Sequence, residues 1–276
     1  MKFLLYILLI LVNFSCSGQE KSAIQDYKKS EDSVIQLYQK QKHHFEFDTY
    51  KMFYNQKLIK LETVANTVNI FGKPDYGIKD ITYNKNPINI LAYAKNKIDK
   101  YGNYLVSVNG REFPINDSKG HRIEENWRLY IDNNGEDVYV RDNNGILIGE
   151  VYTYRLWMSP YEITSYIPTK QDSINAKIPA LNGYIKINGK LIHQSITKKE
   201  LKEKLYPLPK GGQLTNMLGD PVLIYDLGKD YKKFDPNMDP EDTRVFIDIV
   251  FKTDPKTKEE KGIYYINYYY NLKQKD

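Results

Sequence analysis

Cys16 is the only cysteine in the 276 residues. A disulfide within the chain, a cysteine-built metal site and thiol catalysis in the body are therefore excluded. Ser195-Ile-Thr-Lys198 has the Ser-x-x-Lys spacing in which a lysine can activate a serine. The companion Ser-Asp-Asn and Lys-Thr-Gly motifs are absent, and Thr197 with Glu200 three residues later also reads as the capping box of a helix start. The histidines are His43, His44, His121 and His193. The adjacent pair suits a transition metal only if further ligands converge on it in space. Asp235-Pro-Asn237-Met-Asp239-Pro-Glu241-Asp242 places oxygen donors at alternate positions. An EF-hand needs Gly at its sixth position and Glu at its twelfth, where this chain has Pro240 and Phe246. The segment reads as an acidic surface loop. Nucleophile-elbow, P-loop, dinucleotide and His-Glu-x-x-His patterns are all absent. Paired carboxylates for glycoside hydrolysis meet in space and cannot be read along one chain. The residues thus point away from an enzyme and name no cofactor.

Cys16 has a different context. Met1-Lys2 precedes an apolar run from Phe3 to Val12, and Ser15-Cys16-Ser17 follows. A positive start, a short apolar run and small residues at a cleavage point make a secretory signal. The run is shorter than the roughly 20 residues that span a bilayer. Residues 1–16 resemble a lipoprotein signal, in which the cysteine is diacylated and becomes the new N-terminus. Ser15 and Cys16 match that pattern, whereas Asn13 stands where the family prefers Leu. The resemblance implies lipidation at Cys16 and anchorage in a Gram-negative envelope, most simply at the outer membrane. Ordinary cleavage near Ser17 is the alternative and leaves a periplasmic or secreted protein. Two acyl chains anchor firmly where one does not.

Composition is that of a soluble globular protein: 27% charged, 41% hydrophobic, net charge +5. Without Lys2, 39 basic stand against 35 acidic residues, a scattered +4 with no dense basic cluster for nucleic acid. Tyrosine is unusually abundant at 25, against 10 Phe and 2 Trp. Tyrosine suits half-exposed sheet faces and binding surfaces, and an AT-rich genome also raises it. Tyr130, Tyr139, Tyr152 and Trp157 are the candidate partner-facing residues, with Trp127 and Trp157 as possible sugar-stacking platforms or core fillers.

Elements must position these residues. Residues 17–44 read as a polar tether and an amphipathic helix over about 21–43, from the spacing of Ile24, Tyr27, Val34, Ile35 and Tyr38. An echo follows. Tyr54-Asn-Gln-Lys-Leu-Ile59 and Ile187-Asn-Gly-Lys-Leu-Ile192 are both hairpin signals. Helix-like segments follow at Glu62–Phe71 and Thr197–Leu205, then Gly72-Lys73-Pro74-Asp75 and Gly219-Asp220-Pro221 as stops, the second copy carrying an inserted loop with Pro207-Leu-Pro-Lys-Gly-Gly212. Strands follow at Trp127–Ile131, Val138–Val140 and Ile146–Leu156, separated by two Asp-Asn-Asn-Gly turns, and later at Arg244–Phe251 and Ile263–Tyr270. Val108-Asn109-Gly110-Arg111 is a weaker hairpin echo. The expected fold is α+β: two related modules at 45–157 and 182–276, each a short helical element on an antiparallel meander, joined by a linker at 158–181.

This order resembles small envelope domains in which a helical element packs on a short antiparallel sheet. The small lipoprotein of the barrel-assembly machinery, the tandem-domain β-lactamase inhibitor proteins and bacterial domains with Asn-Gly-Lys, Gly-Lys-Pro-Asp and Tyr-Asp-Asn-Gly signatures are of this kind. The matching residues are Asn188-Gly189-Lys190, Gly72 to Asp75, and Tyr130 to Gly135. The resemblance implies a protein-binding or assembly lipoprotein with an envelope partner. An immunity or inhibitor lipoprotein and a surface glycan-binding lipoprotein are the alternatives.

Overall fold

The computed structural model describes residues 31–273, apart from 78–80, 84, 94–95, 99–103, 109–110, 115–127, 132–136, 142–146, 149, 165–166 and 169. Cys16, His121, Trp127 and the two Asp-Asn-Asn-Gly turns lie outside the described residues. So does most of the tether. Residues 31–40 are helical (α1), with Ile35 and Leu37 exposed. They belong to a unit spanning Met1–Lys42, separate from the compact unit His43–Asp276.

In the larger unit the chain begins with β1 (Phe45–Asp48), β2 (Lys51–Tyr54) and β3 (Lys57–Ile59). Asn55 and Gln56 join β2 to β3 with φ of 46° and 68°. Two consecutive left-handed residues are what a type I′ hairpin turn requires. Helix α2 (Val64–Phe71) starts on Thr63, whose side chain accepts the Asn66 N–H at 3.3 Å, and closes on Gly72 at φ 86°. Then come β4 (Tyr76–Gly77), β5 (Ile81–Thr82) and β6 (Ile88–Tyr93). Two small antiparallel sheets follow: β7 (Asn96–Ile98), β8 (Tyr104–Val108) and β9 (Arg111–Pro114), then β10 (Arg128–Ile131), β11 (Asp137–Arg141) and β12 (Leu147–Ile148). The expected Asn109-Gly110 hairpin is the β8–β9 pair.

The chain returns through β13 (Glu150–Trp157), α3 (Lys170–Asn175), and the hairpin β14 (Tyr184–Ile187) with β15 (Lys190–His193). Asn188 and Gly189 again have positive φ, 50° and 78°. Helix α4 (Lys198–Leu205) carries the capping box read from the sequence: the Thr197 side chain accepts the Glu200 N–H, and Glu200 accepts the Thr197 N–H at 2.9 Å. The chain ends with β16 (Gly212–Met217), β17 (Asp220–Asp226), α5 (Tyr231–Phe234), β18 (Arg244–Thr253) and β19 (Glu260–Tyr270).

Two sheets carry the unit. One has the order β15-β14-β1-β2-β3, with β1 and β14 parallel. The other is antiparallel, in the order β16-β17-β18-β19-β13-β6-β5-β4. Its inner face, including Ile247, Ile249, Ile266, Tyr268, Tyr154 and Leu156, packs on Phe45, Phe47, Met52 and Ile187 of the first sheet and on Val64, Leu201 and Leu205 of the helices. All are at most 1% exposed. Full burial of such side chains stabilises the fold by about 1.5–3 kcal/mol each. The architecture is α+β, as the hairpin and helix signals implied.

Several expectations change. The segments expected as separate modules share both sheets, meeting at the antiparallel β13–β19 pair and the parallel β1–β14 pair. Of the expected 127–156 meander only β13 enters the large sheet; its neighbours in the first half are β6, β5 and β4. Residues 158–181 are not a plain linker: Ile174 and Ile178 are each 5% exposed, and Asn175 accepts from Asn89. Gly219 does not stop a helix. Tyr206-Pro207 ends α4 first, because proline cannot continue it, and Leu218-Gly219 becomes the two-residue β16–β17 turn.

Candidate functional site

Strand β18 shows why the large sheet has a second, different face. Its residues alternate: Val245, Ile247 and Ile249 point into the core, whereas Phe246, Asp248 and Val250 point outward. The pairing register sets their neighbours. Phe246 lies opposite Tyr269, Asp248 opposite Asn267 and Val250 opposite Tyr265; Asn267 and Tyr265 in turn lie opposite Arg155 and Trp157 of β13.

These residues form a connected row across three strands. Arg155 Nε donates to Asn267 Oδ1 at 2.9 Å, Asn267 lies directly opposite Asp248, and Tyr269 OH donates to Asp248 Oδ1 at 3.4 Å. The Arg155 guanidinium sits 4.5 Å from the centre of the Tyr265 ring. Phe246 and Tyr269 stack at 5.0 Å with 8° between planes, and Arg244 covers Phe246 at 5.3 Å. Arg155, Asp248, Tyr265, Asn267 and Tyr269 are all half-buried. Burial raises the Asp248 carboxyl, with Tyr269, Asn267 and Arg155 pulling it back. Burial and the Asp248 charge push the Tyr269 phenol up to about 12. The row thus presents rigid aromatic rings with oriented donors and acceptors between them, on strands that cannot readily shift. Rigid aromatics with a satisfied polar network are what protein-recognition surfaces use.

The residues singled out in the sequence distribute differently. Trp157, expected to face a partner or a sugar, is 2% exposed. Its Nε1 donates to buried Asn89 at 3.2 Å, and Tyr161, Tyr264 and Tyr265 meet it edge-on. It stands on the same face as Arg155 and Tyr265, at an end of that face that is covered. Tyr152 is 42% exposed beside the irregularity between Val151 and Thr153 of β13. Tyr130 and Tyr139 are directly paired on β10 and β11, apart from the large sheet; their side chains lie outside the described residues. The row residues Phe246, Asp248, Asn267 and Tyr269 carried one signal in the sequence, an aspartate in the middle of an otherwise apolar strand.

Beside the row, a cleft of about 420 Å³ is lined by residues including Ser159, Glu162, Asn182, Gln194, Lys252 and Lys261. Its polar groups are tied to one another. Lys252 pairs with Glu162, whose N–H donates to Tyr264 OH at 3.1 Å. The Ser159 hydroxyl lies 2.7 Å from the Ile263 carbonyl and 3.0 Å from the Gln194 amide. With one proton to give, it donates to the nearer Ile263 carbonyl, and Gln194 Oε1 beside it is a second acceptor.

The other chemical candidates are engaged structurally. Lys198 is held by the Gly219 carbonyl at 3.0 Å and by Asp220 at 3.1 Å, away from any role as a base for Ser195. Ser195 lies 2.6 Å from His193 Nδ1, which also accepts the Ser195 N–H, so the pair closes a turn before α4. His43 Nδ1 pairs with Tyr54 OH at 2.9 Å. Asp235, expected in a surface loop, is 2% exposed and accepts from Tyr270 OH and Asn237 N–H. Asp239 and Asp242 accept from Glu241 and Arg244. Among the described residues no three His, Cys, Asp or Glu side chains converge as metal ligands, and no helix is long and apolar enough to cross a membrane.

Comparison with protein-family models, with curated proteins and with solved structures finds no match for this chain.

Proposed function

We propose that this chain is a lipid-anchored envelope protein that binds a protein partner through the half-buried outer face of its eight-stranded sheet. The observation that carries the reading is the row Arg155–Asn267–Asp248–Tyr269, flanked by the rings of Tyr265 and Phe246. Half of each sheet normally faces water with simple polar residues. Here that face combines aromatic rings with Arg155 and Asp248 held on either side of Asn267, which suits recognition more than solvation. The polar candidates for catalysis are spent on turns, caps and ion pairs, which supports a binding role. The anchor rests on Cys16 and the apolar run before it.

Crosslinking in intact cells, followed by purification of the protein, tests the binding face. A stoichiometric envelope protein is expected with the native chain and lost with Arg155→Ala/Tyr269→Ala. Equal recovery with the double variant removes this face from the proposal. The anchor is tested separately: Cys16→Ala is expected to leave the membrane fraction, and retention after a salt wash rejects lipidation as the hold.

A further inference from the structure

The edge strand β16 is unusually unguarded. It reads Gly212-Gln-Leu-Thr-Asn-Met217, with no charge, proline or bulge, and among the described residues β17 is its one neighbour. Soluble proteins usually protect such an edge with lysine, proline or irregularity, because turned-out backbone groups template further pairing. The hairpin geometry shows which groups turn out. Met217 and Asp220 flank a two-residue loop and therefore form a hydrogen-bonded pair, as do alternate residues along the ladder. The N–H and C=O groups of Gly212, Leu214 and Asn216 thus face away from β17. The Gly212 N–H goes to the Pro209 carbonyl at 3.0 Å.

Both ends of this edge are apolar. At one end the turn residue Leu218 is fully exposed and sits at φ 51°, a conformation Asn or Gly adopts more readily. Met217 beside it is 46% exposed. The turn is pinned by Lys198, which holds the Gly219 carbonyl and the Asp220 carboxylate. At the other end stands Tyr206-Pro207-Leu208-Pro209, with Tyr206 56% exposed.

We infer that β16 pairs antiparallel with β16 of a second copy of this chain, about a two-fold axis at Leu214. In that arrangement Leu214 of each copy bonds Leu214 of the other, and the Asn216 N–H donates to the Gly212 carbonyl of the second copy. The Gly212 N–H, already used, is not needed. The same operation carries Leu218 of each copy onto the Tyr206–Lys210 segment of the other, so knob and receptor lie on one self-complementary edge. The two-fold sets each apolar end of one copy on the opposite apolar end of the other, which is why a second copy is the occupant. The backbone bonds at Leu214 and from Asn216 to Gly212 are the frame of the contact, and association in solution is concentration-dependent. Tethering copies to one membrane would raise their effective concentration.

The test uses the purified protein in detergent micelles. Sedimentation velocity over a concentration series is expected to show a monomer–dimer equilibrium. Asn216→Pro, which removes a turned-out N–H and no bond to β17, is expected to weaken the dimer by about tenfold or more. Should that variant fail to fold, Leu218→Asn serves, since it fits the left-handed turn: its melting temperature should not fall while dimerisation does. Benzoylphenylalanine placed at 218 in a mixture of isotope-labelled and unlabelled protein should crosslink between copies to the 206–210 segment. A monomer throughout the series, a dimer untouched by these substitutions, or a crosslink from 218 to another site or another protein overturns the inference.

Discussion

The hydroxyl of Tyr270, at the end of β19, donates to buried Asp235 at 2.7 Å and accepts the Leu61 N–H at 2.8 Å. One side chain thereby ties the last strand to the loop after α5 and to the connection between β3 and α2. Burial and the neighbouring Tyr268 and Asp235 raise its phenol far above the ordinary range. Tyr270→Phe keeps the ring packing, orphans the Leu61 N–H and leaves Asp235 with the Asn237 N–H alone. Each buried group left unsatisfied costs about 1–3 kcal/mol. Urea unfolding is expected to show a loss of unfolding free energy of that size, read as a lowered midpoint with unchanged slope.

Gly262 defines a second point of strain. Its φ is 90°, and a Cβ there would lie 2.3 Å from the Gln194 carbonyl oxygen, which also accepts the Ile263 N–H at 2.6 Å. Gly262→Ala therefore forces β19 away from the end of β15. A loss of about 2–5 kcal/mol is expected from the strain and overlap together, read as a lowered melting temperature.

Asp248 predicts a pH dependence. Burial raises its folded-state pKa, so the folded protein binds its proton more tightly than the unfolded chain. Stability from this group is full below the ordinary carboxylate value of about 3.9 and is lost as pH rises through the folded value. Asp248→Asn is expected to be indistinguishable from the native protein in the most acid range and more heat-stable near neutrality. A melting-temperature difference that shrinks as pH rises would contradict the assignment.

The tyrosines predict the alkaline limb. Tyr154, Tyr268 and Tyr270 are almost fully buried, and desolvation raises each phenol well above the ordinary value of about 10. A raised phenol contributes stability that is intact below about pH 10 and lost above it. Absorbance at the tyrosinate band should rise in two stages, exposed tyrosines first and the buried ones only together with loss of near-ultraviolet circular dichroism. A single smooth titration with the fold intact would contradict this burial.

Local chemistry was well written in the chain. Asn55-Gln56 and Asn188-Gly189 make the expected turns because few other residues tolerate two successive left-handed conformations. Thr197 and Glu200 cap α4 because their side chains reach only the N–H groups nearest to them. Pairing over long distances was not legible. Nothing in Phe45–Asp48 names Tyr184–Ile187 as its parallel neighbour, since many apolar strands of similar length compete. The turn signals flanking β10 and β11 pointed to a meander as the main sheet of the first half, whereas the weakly marked β4–β6 took that place.

The sequence alone determined the turns, the caps, the apolar alternation of β18 and β19 and the singularity of Cys16, since each depends on residues within a few positions of one another. Tertiary structure decided which face each alternation served. It buried Trp157 and Asp235, and it placed Arg155 beside Asn267 and Tyr265, residues more than a hundred positions away in the chain. The reason is that a strand's period fixes two faces but not which is covered. Coverage depends on the other sheet, on α3 and on the register of β13 with β19, all set by the packing of the whole chain.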